Sequence, residues 1–94
     1  MATDYEKARA WIAASEIPGY DPLMWRRDVD GRAIRWSDYG DRSSEFGWEI
    51  DHVIPLGIGG FDHSSNTRAR HWKGNAAAGG YLGGMLDDFI RRSS

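Results

Sequence analysis

Gly47-Trp48-Glu49-Ile50-Asp51-His52-Val53-Ile54-Pro55 is the run on which the reading of this 94-residue chain turns. Trp48 to Ile54 has the bulk and branching of a β-strand, and period two puts Trp48, Ile50 and Ile54 on one face. Pro55 ends the run, because it has no N–H to give to a ladder. Gly57-Ile58-Gly59-Gly60-Phe61-Asp62-His63-Ser64-Ser65 is a loop by composition. Asn66 to His71 fits a short return strand. A helix is expected from near Trp72 through Asn75 and Ala76-Ala77-Ala78, until Gly79-Gly80 breaks it. Strand, loop, strand and helix over residues 48–78 therefore form the part of the chain that carries chemistry.

Working outward, Thr3-Asp4-Tyr5-Glu6 has the form of a capping box, with Thr3 as N-cap and Glu6 reaching back to it. Tyr5, Ala8, Ile12 and Ser15 follow at helical spacing beside Trp11, and Pro18-Gly19 stops a helix near Glu16. Asp30-Gly31 separates Met24-Trp25-Arg26-Arg27 from Ala33-Ile34-Arg35-Trp36, which predicts a hairpin. Beyond Gly83-Gly84, the residues Leu82, Met85, Leu86, Phe89 and Ile90 share a helical face, and Arg91-Arg92 suit its C-terminal end. The chain reads as one α+β domain over 1–94. It comprises an N-terminal helix in 1–19, a hairpin and loop region in 20–47, the core in 48–80 and a C-terminal helix in 81–94.

Composition narrows the function classes. With no cysteine there is no disulfide, no thiol nucleophile and no Cys-based zinc site. No apolar run is long enough for a membrane span or a signal peptide, so the expectation is a soluble, cytoplasmic protein without a membrane partner. Net charge is −2, which does not by itself announce a polyanion partner. Distribution is more informative, because Arg26, Arg27, Arg32, Arg35, Arg68, Arg70 and Lys73 occupy the middle while acids gather near the ends. A solvated mixed-charge surface remains the simpler reading of that pattern taken alone.

Phosphodiester cleavage needs a base for the attacking water and positive charge for the phosphate and leaving oxygen. A neutral His suits the first task. A divalent metal suits the second, and a hard cation needs only one or two protein oxygens. His52 supplies the imidazole, Asp51 a carboxylate, and Asn66 and Asn75 amide oxygens. Glu49 to Leu56, then Gly59-Gly60, Asn66, His71-Trp72 and Asn75 resemble the HNH endonuclease family, whose core is the ββα-metal motif. The spacing agrees, with Asn66 fourteen residues after His52 and Asn75 nine after that. Asp21-Pro22, Trp25-Arg26-Arg27-Asp28, Tyr39-Gly40 and Gly47-Trp48 extend the likeness upstream, over residues 21–79 in all.

The resemblance implies roles. His52 is similar to the general base, Asp51 to the carboxylate ligand of a single metal, and Asn75 to the second ligand on the helix. Asn66 corresponds to the Asn that braces the loop and helps orient the base. Products ending in 5′-phosphate and 3′-hydroxyl are implied with them. Mg²⁺ or Mn²⁺ suits one carboxylate and one amide, while Ni²⁺ or Zn²⁺ would suit a set that includes His71. Arg68, Arg70 and Lys73 are candidates for contact with DNA phosphates, or else solvated.

Blander readings stand beside these. His63 is a loop residue, and His71 is equally a hydrogen-bonded packing residue at a helix start. Trp25, Trp36, Trp48 and Trp72 are core rather than base-stacking platforms. The glycines at 57, 59 and 60 turn the loop and do not cradle phosphate, since no Gly-Lys-Ser/Thr follows. Asp51 and His52 are neighbours, so a regular strand points them to opposite faces, and they serve one site only at a strand end or bend. The sequence also departs from the family: Ala76-Ala77-Ala78 stand where basic residues are common, and no zinc-binding cysteines are present. Three hypotheses follow. The chain is a DNA endonuclease of low sequence specificity, a non-catalytic or partner-dependent nucleic-acid-binding module on the same scaffold, or a protein-interaction module using the apolar face of residues 82–90.

Overall fold

The computed structural model describes residues 2–54, 56–60 and 64–80; His63 and the expected helix over 81–94 lie outside them. Thr3 caps the first helix, α1 (Asp4–Ile12), by a reciprocal exchange. Its hydroxyl accepts the Glu6 N–H at 3.1 Å, and its own N–H donates to the Glu6 carboxylate at 3.2 Å. The helix is one turn shorter than its spacing predicts, and a different stripe is buried. Ala10 and Trp11 are inside, whereas Tyr5 and Ile12 are 71% and 54% exposed. Trp11 decides the rotation, because its large ring outweighs the smaller side chains beside it.

Pairing with a strand ends α1 before the sequence pattern would. Ser15–Glu16 form β1, antiparallel to β2 (Trp25–Arg27), which pairs in turn with β3 (Ala33–Arg35). Arg26 secures the corner by donating to the carbonyls of Ala14 and Pro22. The hairpin between β2 and β3 is closed by Asp28, whose Oδ1 accepts the N–H groups of Asp30 and Arg32, and Gly31 takes the left-handed turn at φ 82°.

The second sheet is β4 (Trp48–His52) against β5 (Thr67–His71), antiparallel, with Trp48 opposite His71, Asp51 opposite Arg68 and His52 opposite Thr67. The strand ends two residues before the sequence suggests: Val53 and Ile54 form a bend, and Ile54 is 50% exposed. A short helix, α2 (Trp72–Gly74), follows β5 directly and continues into a wider π-helical turn, Asn75–Gly80. The described residues therefore make a mixed α+β structure with two small antiparallel sheets. Among them, no helix is long and apolar enough to cross a membrane.

The core lies between α1 and the β4–β5 ribbon. Ala10, Trp11, Ile34, Trp48 and Ala69 are buried, and Ala14, Trp36, Tyr39 and Ile50 pack around them. Trp48 is at the centre, with ring centroids 5.1 Å from Trp11, 5.6 Å from Trp36 and 4.9 Å from Tyr39. Trp48→Ala is expected to cost ~3–5 kcal/mol, a large part of a small domain's stability. Denaturant unfolding followed by far-UV circular dichroism measures it. A Cβ on Gly47 would overlap the backbone carbonyl of Asp41, so Gly47→Ala should also lower the unfolding midpoint.

Candidate active site

β4 displays different chemistry on its two faces. Trp48 and Ile50 turn to the core, while Glu49 and Asp51 turn to the other side, where Asp51 meets Arg68 and Arg70 of β5 and Glu49 meets Arg42. Asp51 is only 6% exposed. Its Oδ2 accepts from Arg68 Nε at 3.0 Å and lies 3.7 Å from Arg70 Nη1. Arg70 is itself gripped by Asp30, through Nε at 2.9 Å and Nη2 at 3.1 Å. That bidentate pair carries the hairpin turn onto the second sheet.

Glu49, to which the motif assigns no role, is a junction. Arg42 donates to both of its carboxylate oxygens, at 2.6 and 2.9 Å, and Asn75 donates its amide N–H at 2.9 Å. Asn75 is thereby tied to β4, on the face where Asp51 sits. The signal available in advance was period two, since Glu49 precedes Asp51 by two residues.

His52 is the last residue of β4 and is half-buried. It lines a cleft of about 460 Å³ with Glu6, Tyr39, Gly40, Glu49 and Ile50. Apart from a bridge between Tyr39 and Trp48, β4 pairs with β5 alone among the described residues. The cleft therefore runs along the outer edge of β4, where Glu49 and His52 meet it from opposite faces.

Asn66 controls the bend just beyond His52. Its Oδ1 accepts the Ile54 N–H at 2.9 Å, its Nδ2 donates to the Ile54 carbonyl at 3.0 Å, and its own carbonyl accepts the Val53 N–H at 2.9 Å. Asn66 is 4% exposed. A buried amide meeting both backbone groups of one residue works as an extra β-bridge, and it locks the strand end to the start of β5.

His71 is spent on structure. Its Nδ1 accepts the Lys73 N–H at 3.0 Å, and its Nε2 sits 2.6 Å from the Glu45 carbonyl. A carbonyl only accepts, so Nε2 carries the proton and the ring is neutral. Neither nitrogen has a lone pair left for a metal. The candidate ligand set therefore narrows to Asp51 and Asn75, and the packing role at the helix start describes His71. The basic candidates separate likewise: Arg70 is buried against Asp30, Arg68 is paired with Asp51, and Lys73 is exposed over the Trp72 ring at 5.5 Å.

Among the described residues, no three His, Asp or Glu side chains converge as a metal cage would require. Asp51 and Asn75 remain a donor set whose chemistry, a carboxylate and an amide oxygen, fits a hard divalent cation completed by water and phosphate. The Arg68 guanidinium stands against the carboxylate that such an ion would use. No family model, curated protein or solved structure matches the chain.

Three carboxylates near these elements have lowered pKa values. A bond from Arg70 lowers Asp30, and bonds from Ser44 and Arg35 lower Asp38. Burial raises Glu49, but its bonds from Arg42 and Asn75 outweigh burial and leave it below the usual value. Groups depressed in the folded state stabilise it above the ordinary carboxylate range and lose that stabilisation as pH falls through the lowered values. Stability should therefore decline from neutral pH into acid, and Asp38→Asn should flatten the acid limb. Thermal unfolding midpoints across that range measure both.

Proposed function

We propose that this chain is a metal-dependent endonuclease that hydrolyses DNA phosphodiester bonds with low sequence specificity. The observation that carries the reading is the Asn66 clamp on Ile54. It holds the chain directly after Asp51-His52 in a bend, where a base on the strand end has an open cleft before it. The order β4, loop, β5 and helix is compatible with a ββα unit, and Asn75 on the helix is tied to the β4 face that carries Asp51.

In this reading His52 takes the proton from the attacking water. Asp51 and Asn75 would hold the cation. A bound Mg²⁺ or Mn²⁺ neutralises charge at the phosphate and stabilises the leaving oxygen. Asn66 keeps the His52 backbone in register with β5, so that the imidazole is presented at a constant depth in the cleft. Glu49 holds the Asn75 amide by its N–H, which turns the amide oxygen away from Glu49. Nothing in the described elements resembles a base-reading helix, which suits a nuclease of low specificity.

A second reading, a nucleic-acid-binding module that does not cut or cuts only with a partner, is favoured by one observation: Asp51 is already ion-paired with Arg68. Plasmid nicking separates the two. Supercoiled DNA is incubated with the protein in Mg²⁺, Mn²⁺, Ni²⁺ or chelator, beside His52→Ala. The nuclease reading expects metal-dependent relaxation that falls ~10²–10⁴-fold in the variant. Folded protein that binds DNA but leaves it intact under every metal would establish the second.

A further inference from the structure

Two arginines touch Asp51, and they are held very differently. Arg70 is 8% exposed at its side chain and is fixed by the bidentate pair with Asp30. Arg68 is 28% exposed, and among the described residues Asp51 is the one carboxylate its side chain meets. Arg70 is therefore structural, and Arg68 is the partner that can leave.

Arg68 also has somewhere to go. It also lines a surface cleft of about 190 Å³ with Arg27, Ser15, Val29, Ala69 and the alanines that follow α1. The residues that line it include Arg27, Arg68 and Ser15 and neither Asp nor Glu, and Arg27 keeps one guanidinium N–H on the Gly31 carbonyl. Such a cleft attracts an anion, and the planar fork of a guanidinium matches phosphate oxygens as well as it matches a carboxylate.

We propose that Arg68 is a latch on the Asp51 carboxylate, released when a substrate phosphate enters the cleft beside Arg27. This rests on the reading of Asp51 as a cation ligand. In the free protein the guanidinium supplies the positive charge that Asp51 needs in a poorly hydrated position. A divalent cation must compete with it there. When Arg68 exchanges Asp51 for phosphate, one charge-assisted hydrogen bond replaces another, so the exchange costs little. Asp51 is left with Arg70 at 3.7 Å and becomes open to the cation. Phosphate and cation then favour each other's binding, because each is linked to the same displacement.

Mn²⁺ binding to the whole chain, read from the paramagnetic resonance signal of the free ion, tests the latch without any DNA cleavage. Arg68→Gln should bind Mn²⁺ about tenfold more tightly than the wild type. Arg68→Lys, which keeps the charge, should stay near the wild type, and Asp51→Asn should abolish binding. Sodium sulfate, compared with sodium chloride at equal ionic strength, should raise the affinity of the wild type but not of Arg68→Gln. Asp51-dependent binding of equal strength in wild type and Arg68→Gln overturns the latch and leaves Asp51 as a ligand. Absence of a sulfate effect in the wild type overturns the exchange. Absence of Asp51-dependent binding in every protein overturns the latch together with the cation reading. Arg68→Ala serves as a second neutral variant, with tryptophan emission reporting that each protein is folded.

Discussion

Burial of Trp48 is the constraint on which the rest of the structure depends. Its indole is fully enclosed and touches Trp11 of α1, Trp36 just after β3, and Tyr39. One side chain thus joins the first helix, the first sheet and the second sheet. A chain of this size has little apolar surface to spend. A tryptophan-centred cluster concentrates that burial at one point, and its edge-to-face ring contacts add to it.

Around this centre the polar residues act as tethers. Asp28 closes the hairpin turn with one carboxylate oxygen and accepts the His71 backbone N–H with the other, at 2.8 Å. Asp30 holds Arg70 from the same turn. Both contacts span the two sheets, so the hairpin works as a bracket on the back of β5. Trp72 adds a third tie by donating its indole N–H to the Ser44 carbonyl at 2.9 Å. No buried side-chain nitrogen or oxygen among the described residues lacks a partner, which explains how charged groups are tolerated so close to a small core.

This bracketing also separates residues that hold the site from residues free to act in it. Arg70 and His71 belong to the frame, each satisfied on every side. Asn66 belongs to it as well, though its effect is local: it sets the bend after His52. His52 and Arg68 stand at the two edges of the β4–β5 ribbon, each beside a cleft. Asp51 lies between them in the ladder, buried on the face opposite that of His52.

Local patterns sufficed for several features. The Thr3–Glu6 capping box, the hairpin around Asp30-Gly31, the alternation of Trp48 and Ile50, and the strand–loop–strand–helix order after Gly47 all rest on interactions between near neighbours, which a sequence displays directly. What it could not display was competition between distant partners. The helical spacing through Ser15 yielded to pairing with Arg26 and Arg27. The stripe of Tyr5 and Ile12 yielded to Trp11, because the heaviest ring chooses the buried face only once there is a core to enter. Period two carried the strand to Ile54, but the Asn66 amide captured that residue's backbone and turned the chain. The candidate residues were legible as types and spacings. That His71 has no free nitrogen, that Glu49 joins Asn75 to β4, and that Asp51 rests against Arg68 rather than beside an open ligand position depend on contacts between residues seventeen or more apart. Local propensity is written in the order of residues, whereas the partner of a buried polar group is settled only by which distant groups the packed core brings within reach.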